Sequence, residues 1–397
     1  MAFNYTRYGS YIGSTVNLKT TISNKTGVIN NKLPYAEALF QIDRVTFNAA
    51  IAGLYGPTLT QQKSYIYGTG SVTDTSWKDN TSFFNVTNGI SQFTIPKTAN
   101  YRITASGASH TNTNTGVTGG QGVRIRATFS LEMGKYLWIL VGQQNEQPSS
   151  GRNWGGGAGG TFVTYGDSFA TSIPLVIAGG GGLLRSGDPS LTYNGLIPNN
   201  YINGQTTTFG ARSYGASITA NYGQAGLGGH NQSTGGSAAG WASDGSTHTD
   251  LRNVPTSFIH NGVTYNYGGS YDEAKTFYNG GAGGQFRTNY DTTYIGDGGF
   301  GGGSPGGWNG LGGGGGYSGG NSGNNNNSNS FSGGGGSFIY YDVYTPDQGN
   351  FGTSTGTWTL NGVVSTHPVQ PLGSLSSGIA TLSYNTGGGS VIIKKLN

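Results

Sequence analysis

The chain has 397 residues, of which 76 are Gly, none is Cys and only 9% are charged, with a net charge of +4. Gly lies far above its usual share of about 7% and charge far below about 25%. That excludes a disulfide scaffold, a charge-driven disordered chain and, because Gly falls in blocks and not at every third residue, collagen.

Residues 1–48 are the least Gly-rich stretch and read as an extended arm for assembly or particle attachment, with one short helix expected at about Tyr35 to Phe40, behind Pro34. Deleting that arm is expected to leave a folded domain that no longer assembles. The first 25 residues hold no apolar h-region, so no signal peptide is expected, and no window reaches the ~18–20 apolar residues of a membrane span.

Residues 64–178 read as strands. Phe93 and Ile95, then Tyr101, Ile103 and Ala105, alternate with polar residues, as do Val123, Ile125, Ala127 and Phe129. A turn follows at Glu132 to Gly134, and the apolar run Tyr136 to Val141 suits a strand buried on both faces. TFVTY (161–165) and IPLVIAG (173–179) are two more. Residues 338–397 return to strand-like text with SFIYYDVYT, GTWTLNGVV, IATLSYNT and SVIIKKL.

Between them, residues 179–337 alternate Gly blocks with Asn, Ser, Thr and Tyr; 280–337 alone holds 25 Gly in 58 residues. Such blocks are flexible linkers or packed, extended helices of three residues per turn. The flanking Trp154, Phe162, Phe300, Trp308, Tyr317 and Phe338 favour packing. An extended glycine helix has no internal hydrogen bonds, so its N–H and C=O groups must pair with neighbouring chains. The blocks at 155–160, 179–182, 225–229, 298–303, 312–316 and 333–336 are therefore expected to be ordered and mutually bonded. Gly157, Gly180, Gly228, Gly301, Gly314 and Gly335 are the positions where close approach is expected.

Chemical motifs are sparse. G-x-S-x-G occurs around Ser304 and Ser318, at a frequency this composition produces by chance and with no strand-to-helix elbow. No Walker A sequence is present, the five His residues show no metal-ligand spacing, and no calcium loop is found, so no catalytic residue, metal or cofactor is expected. Lys394-Lys395 is the densest basic spot, which does not make a nucleic-acid stripe. The excursions 183–224 and 241–279 have the Tyr, Asn, Ser and Gly content of adaptable binding loops. Tyr214, Tyr222, Trp241 and Tyr271 are the candidate contact residues; the competing role for these aromatics is to cap the ends of the glycine helices. A helix of ~10 Gly would hold such loops ~30 Å from the strands.

In order, the segments QFTIPKTANYRITASGA, RIRATFSLEMGKYLWILVGQQ, GGGAGGTFV, IPLVIAGGGGLL, GGFGGGSPGGWNG, GGGGGYSGGN, GGGGSF and GGGSVIIKK cover about residues 50–397. This set resembles the extracellular glycine-rich domain of the anaplastic lymphoma kinase and leukocyte tyrosine kinase receptors. The resemblance implies a tumour-necrosis-factor-like β-sandwich with an inserted bundle of polyglycine-II helices, one domain over 49–397. Those receptors carry Cys, a kinase and a membrane span, none of which is seen here. A Cys-free chain of this kind is similar to phage and virus fibre or adhesin proteins. The expected function is then a non-enzymatic virion protein, found on the particle or outside the cell after release. Its expected partners are further copies of itself, other virion proteins and a host surface glycan or protein. The alternatives are an extracellular receptor-type binding module and a self-assembling filament subunit.

Overall fold

A computed structural model describes residues 42–49, 51–70, 76–111, 117–145, 155–185, 199–213, 226–229, 236–246, 257–260, 263–266, 271–286, 296–306, 310–324, 330–340, 354–360, 363–369 and 383–396. The fold is all-β. Strands β1 (Ile42–Asn48), β2 (Ile66–Gly70), β3 (Phe84–Thr87), β4 (Ile90–Thr94), β5 (Ala99–Ser106), β6 (Gly122–Leu131), β7 (Tyr136–Leu140), β8 (Thr161–Gly166), β9 (Ile173–Ala178), β10 (Phe338–Ile339), β11 (Ser383–Asn385) and β12 (Ser390–Lys395) form two antiparallel sheets. The first has the order β2-β1-β12-β5-β6-β11 and the second β10-β9-β8-β7-β4-β3. Among the described residues no helix is long and apolar enough to cross a membrane.

Period-two alternation places Tyr101, Ile103, Ala105, Val123, Ile125 and Phe129 on the inner face of the first sheet, where they are buried. They share one apolar cluster with Phe93, Leu137, Ile139, Val163 and Val176 of the second sheet, so the sheets pack face to face. The second sheet is covered on its other face too. Trp138, Leu140, Phe162 and Ile177 meet a second cluster formed by Trp241, Phe277, Phe300, Tyr317 and Phe338. This double burial is why β7 reads as a continuous apolar run.

Two local features answer to short sequence signals. Asn88 (φ 50°) and Gly89 (φ 78°) form the tight turn joining β3 to β4, the left-handed pair that two-residue hairpins require. The short helix α1 (Leu59–Ser64) starts at Thr58, whose hydroxyl accepts from the Gln61 N–H (3.3 Å) while Gln61 Oε1 accepts from the Thr58 N–H (2.8 Å). The helix expected at Tyr35 to Phe40 lies outside the described residues.

The expected boundary at residue 48 is corrected. Residues 42–48 are strand β1, bonded on one side to β2 and on the other to β12, with Val45 and Phe47 in the core. Residues 42–48 are therefore not part of an arm. Removing residues 1–41 should preserve a cooperative unfolding transition, while removing 1–48 should abolish it. The second truncation takes out two buried side chains at about 1.5–3 kcal/mol each and two strand ladders, from a total stability of about 5–15 kcal/mol. Circular dichroism melts of both truncations check this; equal melts would show that β1 is dispensable.

Candidate functional site

Six glycine-containing segments are direct continuations of sheet strands. Residues 107–110 run on from β5, 117–121 lead into β6, 141–145 run on from β7, 155–160 lead into β8, 179–182 run on from β9, and 330–337 lead into β10. One end of this array is therefore anchored in the sandwich. At the other end the segments are tied by short contacts: Leu183–Leu184 with Thr118–Gly119, Leu184 with Phe331, and Gly310–Leu311 with Gly323–Asn324.

Gly179–Gly182 is the central segment, and all eight of its backbone polar groups are paired. Gly180 N–H donates to Gly315 O (2.8 Å), Gly181 N–H to Ala108 O (3.0 Å) and Gly182 N–H to Ile202 O (2.7 Å). Gly179 N–H donates to Ser337 Oγ (3.0 Å). In return, Val123, Gly335, Ala158 and Gly120 donate to the carbonyls of Gly179, Gly180, Gly181 and Gly182 in turn. The first and last of these carbonyls, three residues apart, face the same stretch of chain, Gly120 to Val123. The bonds also close rings: Ala158 donates to Gly181, Gly180 to Gly315, and Gly315 back to Ala158. Neighbours thus lie on several sides at once, which a flat sheet does not allow.

Close approach explains the glycines. A Cβ at Gly157 would lie 1.8 Å from Gly313 O, at Gly180 2.4 Å from Ala158 O, at Gly228 2.6 Å from Asp244 O, at Gly314 2.2 Å from Gly180 O and at Gly335 2.1 Å from Gly315 O. Gly301 adds a left-handed φ of 105° where the 296–306 segment reverses. The array is wider and shorter than expected. It includes 107–110, 117–121 and 141–145, which the sequence reading assigned to strands, and its block Gly155 to Gly160 spans ~19 Å at ~3.1 Å per residue.

Buried serines staple the segments. Ser332 Oγ accepts from the Leu183 N–H (2.9 Å) and donates to Gly312 O (2.7 Å). The two G-x-S-x-G serines are used in the same way: Ser304 Oγ accepts from Gly313 N–H (2.6 Å) and Ser318 Oγ from Gly226 N–H (3.1 Å).

Of the candidate contact residues, Tyr214 and Tyr222 lie outside the described residues. Tyr271 is in a two-residue ladder opposite Phe286. Trp241 is corrected: it is wholly buried. Its ring stacks with Phe162 (6.5 Å) and Phe277 (5.6 Å) and meets Tyr278 edge-on (4.8 Å). It joins the array to the sandwich and has no surface to offer a ligand. Tyr201, stacked on Phe331 at 5.8 Å, takes the capping role at the far end.

Lys275 pairs with Asp244 (3.1 Å) and Glu273 (3.2 Å). Burial opposes its charge, but the bond and field of Asp244, then those of Glu273, hold its pKa above the ordinary value. His110 is one of the five His residues that show no metal-ligand spacing. It is 4% exposed, at the far end of the array. Burial lowers its pKa to about 4, against a weaker opposing effect of the Thr111 backbone. Among the described residues no group of three or more His, Asp or Glu comes together.

Compared with models of known families and with curated proteins, the chain gives no match.

Proposed function

We propose that this chain is a non-enzymatic, fibre- or adhesin-like structural protein of a virion. In this reading it is a tumour-necrosis-factor-like sandwich with a bundle of polyglycine-II helices, assembled with copies of itself or other virion proteins. It presents loops to a host surface glycan or protein. The observation that carries the reading is the continuity of sheet strands into hydrogen-bonded glycine segments, tied at their far end near Leu184 and Phe331. Contact loops held on so stiff a support lose less conformational entropy on binding. The backbone of the array is consumed by its own bonds, so specificity falls to the excursions.

Burial of Trp241 and Phe277 restricts which part of 241–279 can be exchanged. Replacing only residues 186–198, 214–225 and 247–256 by short Gly-Ser connections should abolish attachment of labelled protein to host cells and leave the melt unchanged. Retained attachment would move the site to the parts left in place, the sandwich or the stretch that holds Tyr271. Absence of the chain from purified particles of its source would sink the virion reading itself.

A further inference from the structure

We propose that His110 is an acid-sensitive latch that joins the far ends of three glycine segments and releases them when its ring is protonated. The inference is independent of any role in a virion. His110 closes the segment that runs on from β5, and its N–H donates to Gly120 O (2.9 Å) of the segment leading into β6. Its ring fills the space that side chains would take at two glycines. A Cβ at Gly155 would lie 2.4 Å from Nε2, and one at Gly119 3.1 Å from Nδ1. Asn145, at the end of the segment from β7, is the third neighbour: its Nδ2 lies 3.4 Å from the same Gly155 Cβ position. The ring thus sits where 107–110, 117–121 and 155–160 converge, with Asn145 of 141–145 beside the same Gly155 position.

The socket suits a neutral ring only. Neither ring nitrogen makes a hydrogen bond of good geometry, and the Thr111 backbone is the one polar group that favours the charged ring, more weakly than burial opposes it. An imidazolium would carry two N–H donors and a full charge, which burial without a partner penalises heavily. The side-chain acceptor beside it is committed: Asn145 Oδ1 accepts from Thr111 N–H (3.0 Å) and Thr111 Oγ1 (2.9 Å). The described residues packed around the ring on every segment are Ser109, Thr111, Thr118, Gly119, Asn145 and Gly155. None of these described residues is titratable, so none of them supplies an anion to offset the charge.

The sign follows from linkage. An opened His110 titrates near its ordinary 6.5, whereas the closed one titrates at about 4. Between those values the open form binds more protons, so acid favours opening and the effect saturates below about 4. What opens is the far end, where the ties are two-residue ladders and single bonds such as Gly312 N–H to Gly155 O (3.0 Å). The strands at the sandwich end are not loaded.

Native-state hydrogen exchange of the full chain at pH 7 and pH 5, corrected for intrinsic exchange, tests the latch. The amides of His110, Gly120 and Gly312 should lose about twentyfold in protection, the ratio set by pKa values of about 4 and 6.5. The Ile103 and Ile393 amides, paired in the sheet, should not change. His110→Gln should remove the pH dependence. Should that variant not fold, the wild-type exchange together with an NMR titration of the His110 ring decides. Equal protection at both pH values, the same pH dependence in His110→Gln, or a closed-state ring titrating near 6.5 would each overturn the proposal.

Discussion

Gly314→Val should leave no cooperatively folded domain. Gly314 donates to Gly333 O and accepts from the Gly320 N–H, both at 2.9 Å, so its position is fixed from two sides. On a third side the Gly180 carbonyl stands 2.2 Å from where a Cβ would be, well inside the 3.0 Å that real Cβ atoms respect. That carbonyl cannot retreat, because it accepts from Gly335 N–H. Seating a valine forces at least one neighbouring segment out of register and strands buried backbone groups at about 1–3 kcal/mol each. Several such losses exceed the 4–5 kcal/mol that marks an exceptional substitution and approach the whole stability of a domain. Gly134→Ala is the control. Gly134 has φ 85° but nothing within 4 Å of a Cβ, so that change costs only the left-handed strain of about 1–2 kcal/mol. A Gly314→Val protein that melts like wild type would refute the close-packed array.

Trp241→Ala should destabilise the protein by about 3–5 kcal/mol, the range for truncating a large buried aromatic. The ring packs against both Phe162 of β8 and Phe277, which also stack on each other, and its loss leaves both facing a cavity. Trp241→Phe, which keeps part of the stack, should cost much less. Urea unfolding with an unchanged m-value separates this from a change in the denatured state. If Trp241→Ala instead kept wild-type stability and lost only host-cell attachment, Trp241 would be a contact residue after all.

The alternation of Tyr101, Ile103 and Ala105 and of Val123 to Phe129 was legible because a two-residue period has one structural solution when one face is buried. The Thr58-to-Gln61 cap and the Asn88-Gly89 turn were equally explicit in the text but went unread, since each is only four residues or fewer in weakly patterned surroundings. β1 was missed for a related reason: its buried Val45 and Phe47 are a pair too short to show a period. The glycine blocks announced that chains must approach closely. Which block meets which was not legible, because glycines carry no side-chain identity and their partners are set by stapling serines and flanking rings. Trp241 was misread from the polar composition around it. Its immediate neighbours Ala238, Ala239 and Gly240 are themselves buried, which marks that stretch as interior.

The bonding of the central segment constrains how the protein is made. Gly179 and its partner Ser337 are 158 residues apart, an interval that takes ~8–30 s to synthesise at ~5–20 residues per second. Until residues 315 and 337 have emerged, Gly180 and Gly179 lack the acceptors that their N–H groups use in the fold. The first sheet waits longer still, since β12 inserts between β1 and β5. Contacts this distant in sequence make for slow folding. In most β-rich chains such a delay exposes sticky apolar surface, but here the waiting segments are glycine, which water solvates readily. The same absence of side chains that allows the final packing keeps the waiting glycine segments from adding apolar surface, so the exposed apolar face of the unfinished chain is that of the first sheet, open until β12 brings Val391 and Ile393.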